Sequence, residues 1–296
     1  MGAQKKAKSQ TTLRRSCGAM AAHMALLERY PAFRLAQMRL EGATERQRSA
    51  PAAKAWTPVK IKVIVHVVYK NATENISDAQ IRSQIVVLNR DFRATNPDKS
   101  KTPPPWKGLV ADSGISFVLD RVTRTQTTKG PFTWDDKVKK AATGGIAPIN
   151  PKKYLNLWVC ALSGGLLGYA QFPGGPQTTD GVVINYRAFG TMGTASSPFN
   201  KGRTATHEIG HYFNLRHIWG DTPGCSGGDM VADTPNCSDA NTGKPKWPRI
   251  TCNNGPHGDM FMNYMDYTDD DTMFMFTPQQ VARMHVALMT LRSGLL

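Results

Sequence analysis

The sequence predicts an α+β fold, with a mixed sheet and two helices in the N-terminal half and an irregular C-terminal half closed by a helix. Apolar residues alternate along Val59–Tyr69, which is the period of a β-strand. Helical spacing follows over Asp78–Phe92, where Ser77 can act as the N-cap. After residue 213, Gly, Pro, Asp and Asn interrupt every regular pattern until about residue 260. These three observations separate a regular half from an irregular one.

The first fifty residues form a basic segment of their own. Apolar residues recur at helical spacing over residues 13–48: Leu13, Cys17, Met20, Met24, Leu27, Phe33, Leu35 and Met38. Thr44–Ala55 is polar and contains Pro and Ala, so it is typical of a linker, with Arg46 and Arg48 exposed. The folded body is therefore expected to begin near Trp56.

Four further strands and two helices complete the predicted elements. The strands are expected at Ile115–Arg121, Tyr154–Cys160, Leu166–Phe172 and Val182–Tyr186, with Gly/Pro turns between them. One helix is expected over Thr204–Phe213. The last begins at Thr277-Pro278, with Pro at the first helical position, and runs through Leu291.

Length and hydropathy limit the class of protein. A chain of 296 residues allows two domains or one domain in two halves. The 40% hydrophobic and 20% charged residues are typical of a globular protein and argue against wholesale disorder. The apolar runs fall short of the roughly 18 residues of a membrane span, which excludes a transmembrane protein. The basic N-terminus has no apolar core after it, so no signal peptide is visible.

The net charge of +15 suggests nucleic acid as a partner, but its distribution does not. Residues 1–50 carry +7, residues 51–203 carry +12, and residues 204–296 carry −4. The chemistry-bearing motifs lie in the acidic last third. We therefore expect no specific nucleic-acid binding, and at most a weak attraction of the basic part to polyanions.

His207, His211 and His217 carry the strongest functional signal, in the pattern His-Glu-x-x-His followed by a third histidine six residues on. Residues i and i+4 of a helix share one face, so the first two imidazoles can bind one ion. Glu208 can hold a water beside that ion, and three nitrogens leave one open position, as catalytic zinc requires. Asn214 is suited to the left-handed turn that brings His217 back. The alternative is a pair of buried helix histidines with a capping partner.

The pattern resembles that of the metzincin zinc endopeptidases, and in particular their pappalysin (cytophagalysin) branch, in which Asn214 can replace the usual glycine. Phe261–Tyr267 resembles the Met-turn of that branch, which implies that Met265 forms an apolar floor under the histidines and that Tyr267 faces the scissile carbonyl. Leu167–Pro173, Gly228–Pro235 and Phe276–Met284 also resemble family segments, so that the resemblance covers about residues 55–296.

The resemblance also implies disulfides in the irregular half. Three of four family cysteine positions are occupied, by Cys225, Cys237 and Cys252, whereas Thr272 stands at the fourth. We expect a Cys225–Cys252 bridge, worth up to about 3 kcal/mol, and a free Cys237. Cys160 is expected to be a buried thiol. A bridge implies an oxidising compartment, which favours secretion.

Asp229, Asp233 and Thr234 match a loop that binds structural calcium in members of the family. Oxygen ligands in an irregular segment suit Ca²⁺. The alternative, which the sequence leaves equally open, is that these residues cap turns.

The resemblance implies a secreted zinc metalloendopeptidase, with Glu208 as general base, Tyr267 as oxyanion donor and protein or peptide substrates. The domains are then a pro-segment (1–50), an N-terminal catalytic subdomain with the zinc-binding helix (51–217) and a C-terminal subdomain with the Met-turn and last helix (218–296). The alternative is a catalytically weak, zinc-bearing module on a metzincin fold that binds peptides or polyanions. The sequence indicates no oligomeric state.

Two further expectations concern specificity and latency. Asp269, Asp270 and Asp271 follow the Met-turn where metzincins build a specificity pocket, so cleavage beside basic residues is expected, unless these acids form a solvated loop. Cys17 stands beside Gly18 in the basic segment and can fill the open metal position, which would keep the enzyme latent, unless it is an incidental helix thiol. The +7 segment is expected to be held partly by its charge, in a salt-dependent way.

Overall fold

A five-stranded mixed sheet forms the framework of the regular half. The structure, a computed structural model, describes residues 14–49 and 56–296. The strands are β1 (Val59–Tyr69), β2 (Ile115–Gln126), β3 (Leu155–Cys160), β4 (Gly168–Ala170) and β5 (Val182–Asn185). Their order is β2-β1-β3-β5-β4, and only the edge strand β4 runs antiparallel to its neighbour. The predicted α+β class with a mixed sheet is confirmed.

The helices of the described ranges are α1 (Ala19–Arg29), α2 (Pro31–Ser49), α3 (Asp78–Phe92), α4 (Arg203–Tyr212) and α5 (Pro278–Met289). Ser77 caps α3 by accepting a hydrogen bond from the Gln80 amide. Thr277 and Gln280 form a reciprocal capping box at the start of α5. In the irregular half, β6 (Thr242–Gly243) and β7 (Tyr267–Thr268) pair in a two-stranded ribbon. Within the part of the chain that is described, no helix is both long and apolar enough to cross a membrane.

The main core lies between the sheet and helices α3 and α4, and it continues into the irregular half. The sheet contributes alternate residues of β1, which are Ile61, Val63, Val65 and Val67. Helix α3 contributes Ile81, Ile85 and Leu88, and α4 contributes Ala205 and Ile209. Because α4 is buried along its whole length, its polar side chains need partners inside the protein.

The basic N-terminal segment differs from its prediction. It forms two helices that are separated at Tyr30, because Pro31 begins a new helix at its first position. Thr44–Ser49 continues α2, so the linker prediction is wrong there; Thr44 Oγ1 donates to the Leu40 carbonyl and Glu45 pairs with Arg48. Leu13 and residues 50–55 of the predicted linker lie outside the described residues.

Two strands also differ from their predicted extent by more than one residue. Strand β2 extends to Gln126 because it continues to pair with β1 beyond a register shift at Val63/Ile64. Only Gly168–Ala170 of the predicted Leu166–Phe172 strand pairs with β5. Its outer edge faces the N-terminal segment, where the Leu167 amide donates to the Ser16 carbonyl at 2.9 Å.

Candidate metal centre

Three histidine side chains converge at the end of α4. His207 and His211 lie one turn apart on this helix, and all three histidines are buried. The chain then reverses at Asn214, whose φ of 74° lies in the left-handed region, and this reversal returns His217 to the helix. The Nε2 atoms of the three rings are 3.0–3.2 Å apart.

The outer nitrogen of each ring has an oxygen acceptor. His207 Nδ1 contacts the Tyr264 carbonyl at 2.7 Å, and His211 Nδ1 contacts the Leu215 carbonyl at 2.8 Å. A carbonyl only accepts, so the proton of each ring lies on Nδ1 and the Nε2 lone pair faces the other rings. Burial lowers the pKa of His207 and His211 well below the usual value, so these rings are neutral. Neutral imidazoles with convergent lone pairs are transition-metal ligands.

Glu208 lies beside this cluster on the same helix. It is buried, and burial raises its pKa to about 8, against the opposing effects of Cys17 and Arg15. It packs against the edge strand so closely that a Cβ on Gly168 would lie 2.9 Å from Glu208 Cγ. Glycine at this position of β4 therefore lets the carboxylate reach the cluster.

Cys17 completes the group of candidate ligands. One ligand atom each from Cys17, His207, His211 and His217 lies within 4.8 Å of the others. Cys17 Sγ is 3.3 Å from Glu208 Oε2, and burial, followed by the charge of Glu208, raises the pKa of the thiol well above its usual value.

The strand pairing of the N-terminal segment places the thiol. The Gly18 amide donates to the Gly168 carbonyl at 2.9 Å, and Cys17 forms a parallel bridge with Gly168. Residues 16–18 therefore pair with the outer edge of β4 through a single parallel bridge, which holds Cys17 at the metal centre.

The segment that resembles a Met-turn packs against α4 and His217. Met265 is fully buried, and its Sδ packs so closely on α4 that a Cβ on Gly210 would be 2.4 Å away. The Tyr267 ring lies 4.9 Å from that of His217, centroid to centroid, and its hydroxyl is 3.5 Å from the Cys17 carbonyl oxygen.

A buried pocket beside the centre holds the guanidinium of Arg15. Arg15 Nη2 is 2.6 Å from Asp270 Oδ1, with the two side chains 1% and 0% exposed. Arg15 Nη1 donates to Thr204 Oγ1, Nε donates to the Thr268 carbonyl, and the guanidinium lies 5.0 Å from the centre of the Phe199 ring.

The two acids next to Asp270 lie elsewhere. Asp271 pairs with Lys244, and its side chain is partly exposed. Asp269 is also partly exposed, and its amide donates to the Gly243 carbonyl at the β6–β7 ribbon. Of the three acids proposed for the pocket, the structure brings only Asp270 into contact with a guanidinium.

The acids of the expected calcium loop bond to protein groups. Asp229 accepts from the hydroxyl of Thr234 at 2.8 Å and from the Val231 amide at 3.1 Å. Asp233 accepts from the Thr277 hydroxyl at 2.7 Å and from the Gln279 amide at 2.9 Å, at the N-terminus of α5. These contacts are those of turn-capping and helix-capping residues.

Two of the 5 cysteines form a disulfide. Cys225 and Cys252, 27 residues apart, form the bridge. Cys160 and Cys237 are free and buried. Burial raises the pKa of both thiols above the usual range, which makes them unreactive.

Four residues in or near the centre could not be assigned a role from the sequence. Asp221, His23 and Glu41 bear no motif. Asp221 is bonded to His217, His23 packs on Phe172, and Glu41 binds Arg283. Arg15 stands two residues before Cys17, and only its contact with Asp270 reveals its place. Of the four, only Asp221 has a local signal in the sequence, because it is an acid four residues after the third histidine.

The comparisons with known proteins agree with this geometry. The peptidase family model described as pregnancy-associated plasma protein-A matches residues 145–289. An extracellular metalloprotease of Pyricularia oryzae is 36% identical over 244 residues, which cover 79% of this chain and 76% of the relative. One from Arthroderma benhamiae is 32% identical over 252 residues, 83% of each chain.

Solved structures extend the similarity to the N-terminal segment. A promirolysin mutant of Tannerella forsythia matches with a TM-score of 0.86 and 44% identity, covering 95% of this chain and 97% of that one. Mature mirolysin of the same organism, in complex with a cleaved peptide, matches with a TM-score of 0.76 and 50% identity, covering 78% and 92%. The chain therefore belongs to the pappalysin family of metzincin peptidases and is a metalloendopeptidase.

Proposed function

We propose that this metalloendopeptidase uses zinc, held by His207, His211 and His217. The observation that carries the proposal is the 3.0–3.2 Å spacing of the three Nε2 atoms. Tetrahedral zinc with Zn–N distances of about 2.0–2.1 Å needs ligand nitrogens roughly 3.3 Å apart. The donor set therefore fits zinc with little movement.

Bound zinc lowers the pKa of a water toward about 7 and polarises the peptide carbonyl. Glu208 is the general base: its carboxylate takes the proton of the attacking water and then delivers it to the leaving amine. The Tyr267 hydroxyl donates to the oxygen of the carbonyl as negative charge develops on it. The substrate lies extended along the free edge of β4, where the N-terminal segment lies in this structure.

Hydrolysis of a fluorogenic peptide tests this assignment against the rival, a zinc-bearing module that binds peptides or polyanions and does not cleave them. After removal of residues 1–50, we expect turnover that Glu208→Ala abolishes while zinc content stays unchanged. Equal trace rates in both proteins, together with retained peptide binding, would establish the rival.

Metal analysis tests the third ligand. His217→Ala should lose zinc and activity together. His285→Ala is the control, because His285 stacks on Trp56 at 3.7 Å and bonds to the Ser113 carbonyl, outside the cluster. Full zinc retention in the His217 variant would disprove the assignment.

We further propose that the pocket around Asp270 binds a basic side chain of the substrate next to the scissile bond. Arg15 supports this because it already lies there, with its guanidinium paired to a buried carboxylate. Asp269 and Asp271 then have a secondary role, since they add negative charge near the pocket without contacting the bound side chain. A cleavage-site profile of a peptide library should show Arg or Lys beside the bond, and Asp270→Asn should remove that preference. A flat profile in the parent contradicts the pocket.

Residues 1–50 are proposed to be a pro-segment that keeps the enzyme latent through Cys17. The thiol lies with the three histidines, and a thiolate is a strong zinc ligand. The solved promirolysin, which covers more of the chain than mature mirolysin does, supports a zymogen. Cys17→Ala should give a full-length protein that cleaves peptides at once. If it stays silent until residues 1–50 are removed, the segment blocks the cleft without its thiol.

The extracellular relatives and the disulfide support secretion. Calcium at Asp229, Asp233 and Thr234 stays a prediction. If the ion binds there, it must replace the hydroxyl and amide donors that these acids now have. Thermal unfolding with and without Ca²⁺ tests it, and an unchanged midpoint favours the capping role.

A further inference from the structure

We propose that Asp221 is a positioning residue for His217, and that it strengthens metal binding by placing a carboxylate behind this one ligand. The inference rests on the proposed zinc site and goes beyond its ligands and base. It starts from a difference among the three histidines. His207 and His211 are held by backbone carbonyls, whereas His217 Nδ1 lies 2.5 Å from the Asp221 side chain.

The backbone after His217 builds this contact. The Gly220 amide donates to the His217 carbonyl at 2.9 Å and closes a tight turn. Gly220 has a φ of 69° and Asp221 has a φ of 54°, so two successive residues are left-handed and the chain folds back on the ring. Asp and Asn tolerate this conformation better than other side-chain-bearing residues do. This turn, rather than a helix, therefore directs the Asp221 carboxylate toward the His217 ring.

Aromatic neighbours fix the plane of the ring that Asp221 holds. Trp219 stacks on His217, with centroids 4.3 Å apart and planes 7° apart. The Tyr267 ring meets both rings edge-on, 4.9 Å from His217 and 4.7 Å from Trp219. The imidazole therefore cannot tilt freely, and the carboxylate sets its remaining freedom, which is rotation within that plane.

The carboxylate differs from the two carbonyls in charge. It lies behind the ligand ring, and its side chain is 24% exposed, so placing a carboxylate there costs little desolvation. A carboxylate bonded to a ligand histidine raises the basicity of that ligand and fixes its tautomer. Loss of such a partner typically weakens metal affinity 10–100-fold.

Two variants separate charge from contact. Asp221→Asn keeps an oxygen that can accept from Nδ1–H and tolerates the positive φ, but it has no charge. Asp221→Gly also tolerates this φ and removes the contact altogether. Asp239→Asn is the matched control, because Asp239 is an exposed acid of the irregular half whose carboxylate bonds only to the Ala240 amide among described residues.

The zinc dissociation constant of the full chain is measured by competition with a chelator of known affinity. We expect it to rise about 10-fold for Asp221→Asn and up to about 100-fold for Asp221→Gly, with no change for Asp239→Asn. In a second measurement, cobalt replaces zinc. The visible absorption bands of cobalt should shift in both Asp221 variants and not in the control. A purely structural role of Asp221 would not shift these bands.

Zinc constants within twofold of the parent and unshifted cobalt bands in both variants overturn the proposal. If Asp221→Gly fails to fold, the Asn variant alone decides, since it preserves both the turn and the shape. A parent chain that binds no zinc refutes the proposed function itself, so the two failures are distinct.

Discussion

Replacing Arg15 by Ala tests how much one buried ion pair contributes to latency. In the docked segment the guanidinium pairs with Asp270 and also donates to Thr204 and to the Thr268 carbonyl. The substitution removes every one of these contacts and leaves Cys17, two residues away, in place. Latency should weaken while the thiol remains.

The size of the effect follows from the groups left behind. Removing one partner of a buried pair costs about 3–5 kcal/mol, because the other charge loses its compensation. Asp270 still accepts from the Lys201 amide at 2.7 Å and from the Arg203 amide at 3.2 Å, so the lower end of that range applies. About 3 kcal/mol corresponds to a roughly 100-fold larger population of undocked segment.

The assay is the initial rate of fluorogenic peptide hydrolysis by the freshly purified full chain, before any shortening is visible on a gel. Arg15→Ala should hydrolyse about 100-fold faster than the parent. Arg15→Lys should fall between them, because it keeps the charge but loses the planar fork. Arg14→Ala, at an exposed neighbour, should match the parent. If Arg15→Ala is as silent as the parent while Cys17→Ala is active, the pair contributes nothing to latency.

Three further predictions concern the segment and the helix of the metal centre. Glu41→Gln should raise the residual peptide hydrolysis rate of the full chain about 10-fold, since Glu41 accepts hydrogen bonds from Arg283 and Asn214. Glu45→Gln is the control and should not raise this rate, because Glu45 belongs to an exposed ion pair. Equal rates in the two variants would refute a role of Glu41 in holding the segment. Burial lowers the pKa of His23 from 6.5 to about 4, so docking is most stable above pH 6.5 and weakens as the pH falls toward 4. At pH 5.5 the docked segment loses about 1.4 kcal/mol of stability relative to the undocked one, so the residual hydrolysis rate should be roughly tenfold higher than at pH 7.5. His23→Phe should remove this contribution, and an identical pH dependence in that variant contradicts it. Gly210→Ala should lower the free energy of unfolding in urea by about 1–3 kcal/mol, because its Cβ would meet Met265 Sδ at 2.4 Å, whereas Gly108→Ala, which meets nothing within 4 Å, should cost far less.

The sequence predicts best what is local. Helix α3 begins and ends where Ser77 and the helical spacing place it, because cap and period lie within a few residues. The three histidines are predictable for the same reason: one helix turn and one left-handed residue suffice to bring them together. The extent of β4 is not local, since it depends on which residues of β5 and of the N-terminal segment lie alongside.

The electrostatics of docking show where summed charge misleads. The +7 charge of the segment and the −4 charge of residues 204–296 suggest an attraction that salt would weaken. In the two main ion pairs, however, the segment contributes the positive side chain once and the negative side chain once. Arg15 of the segment meets Asp270, 255 residues away, but Glu41 of the segment meets Arg283 of α5. Both partners in the body are nearly fully buried, so salt screens these pairs little. Net charge counts exposed and buried groups alike, whereas docking depends on a few buried pairs. Moderate salt should therefore relieve latency far less than removal of either side chain does.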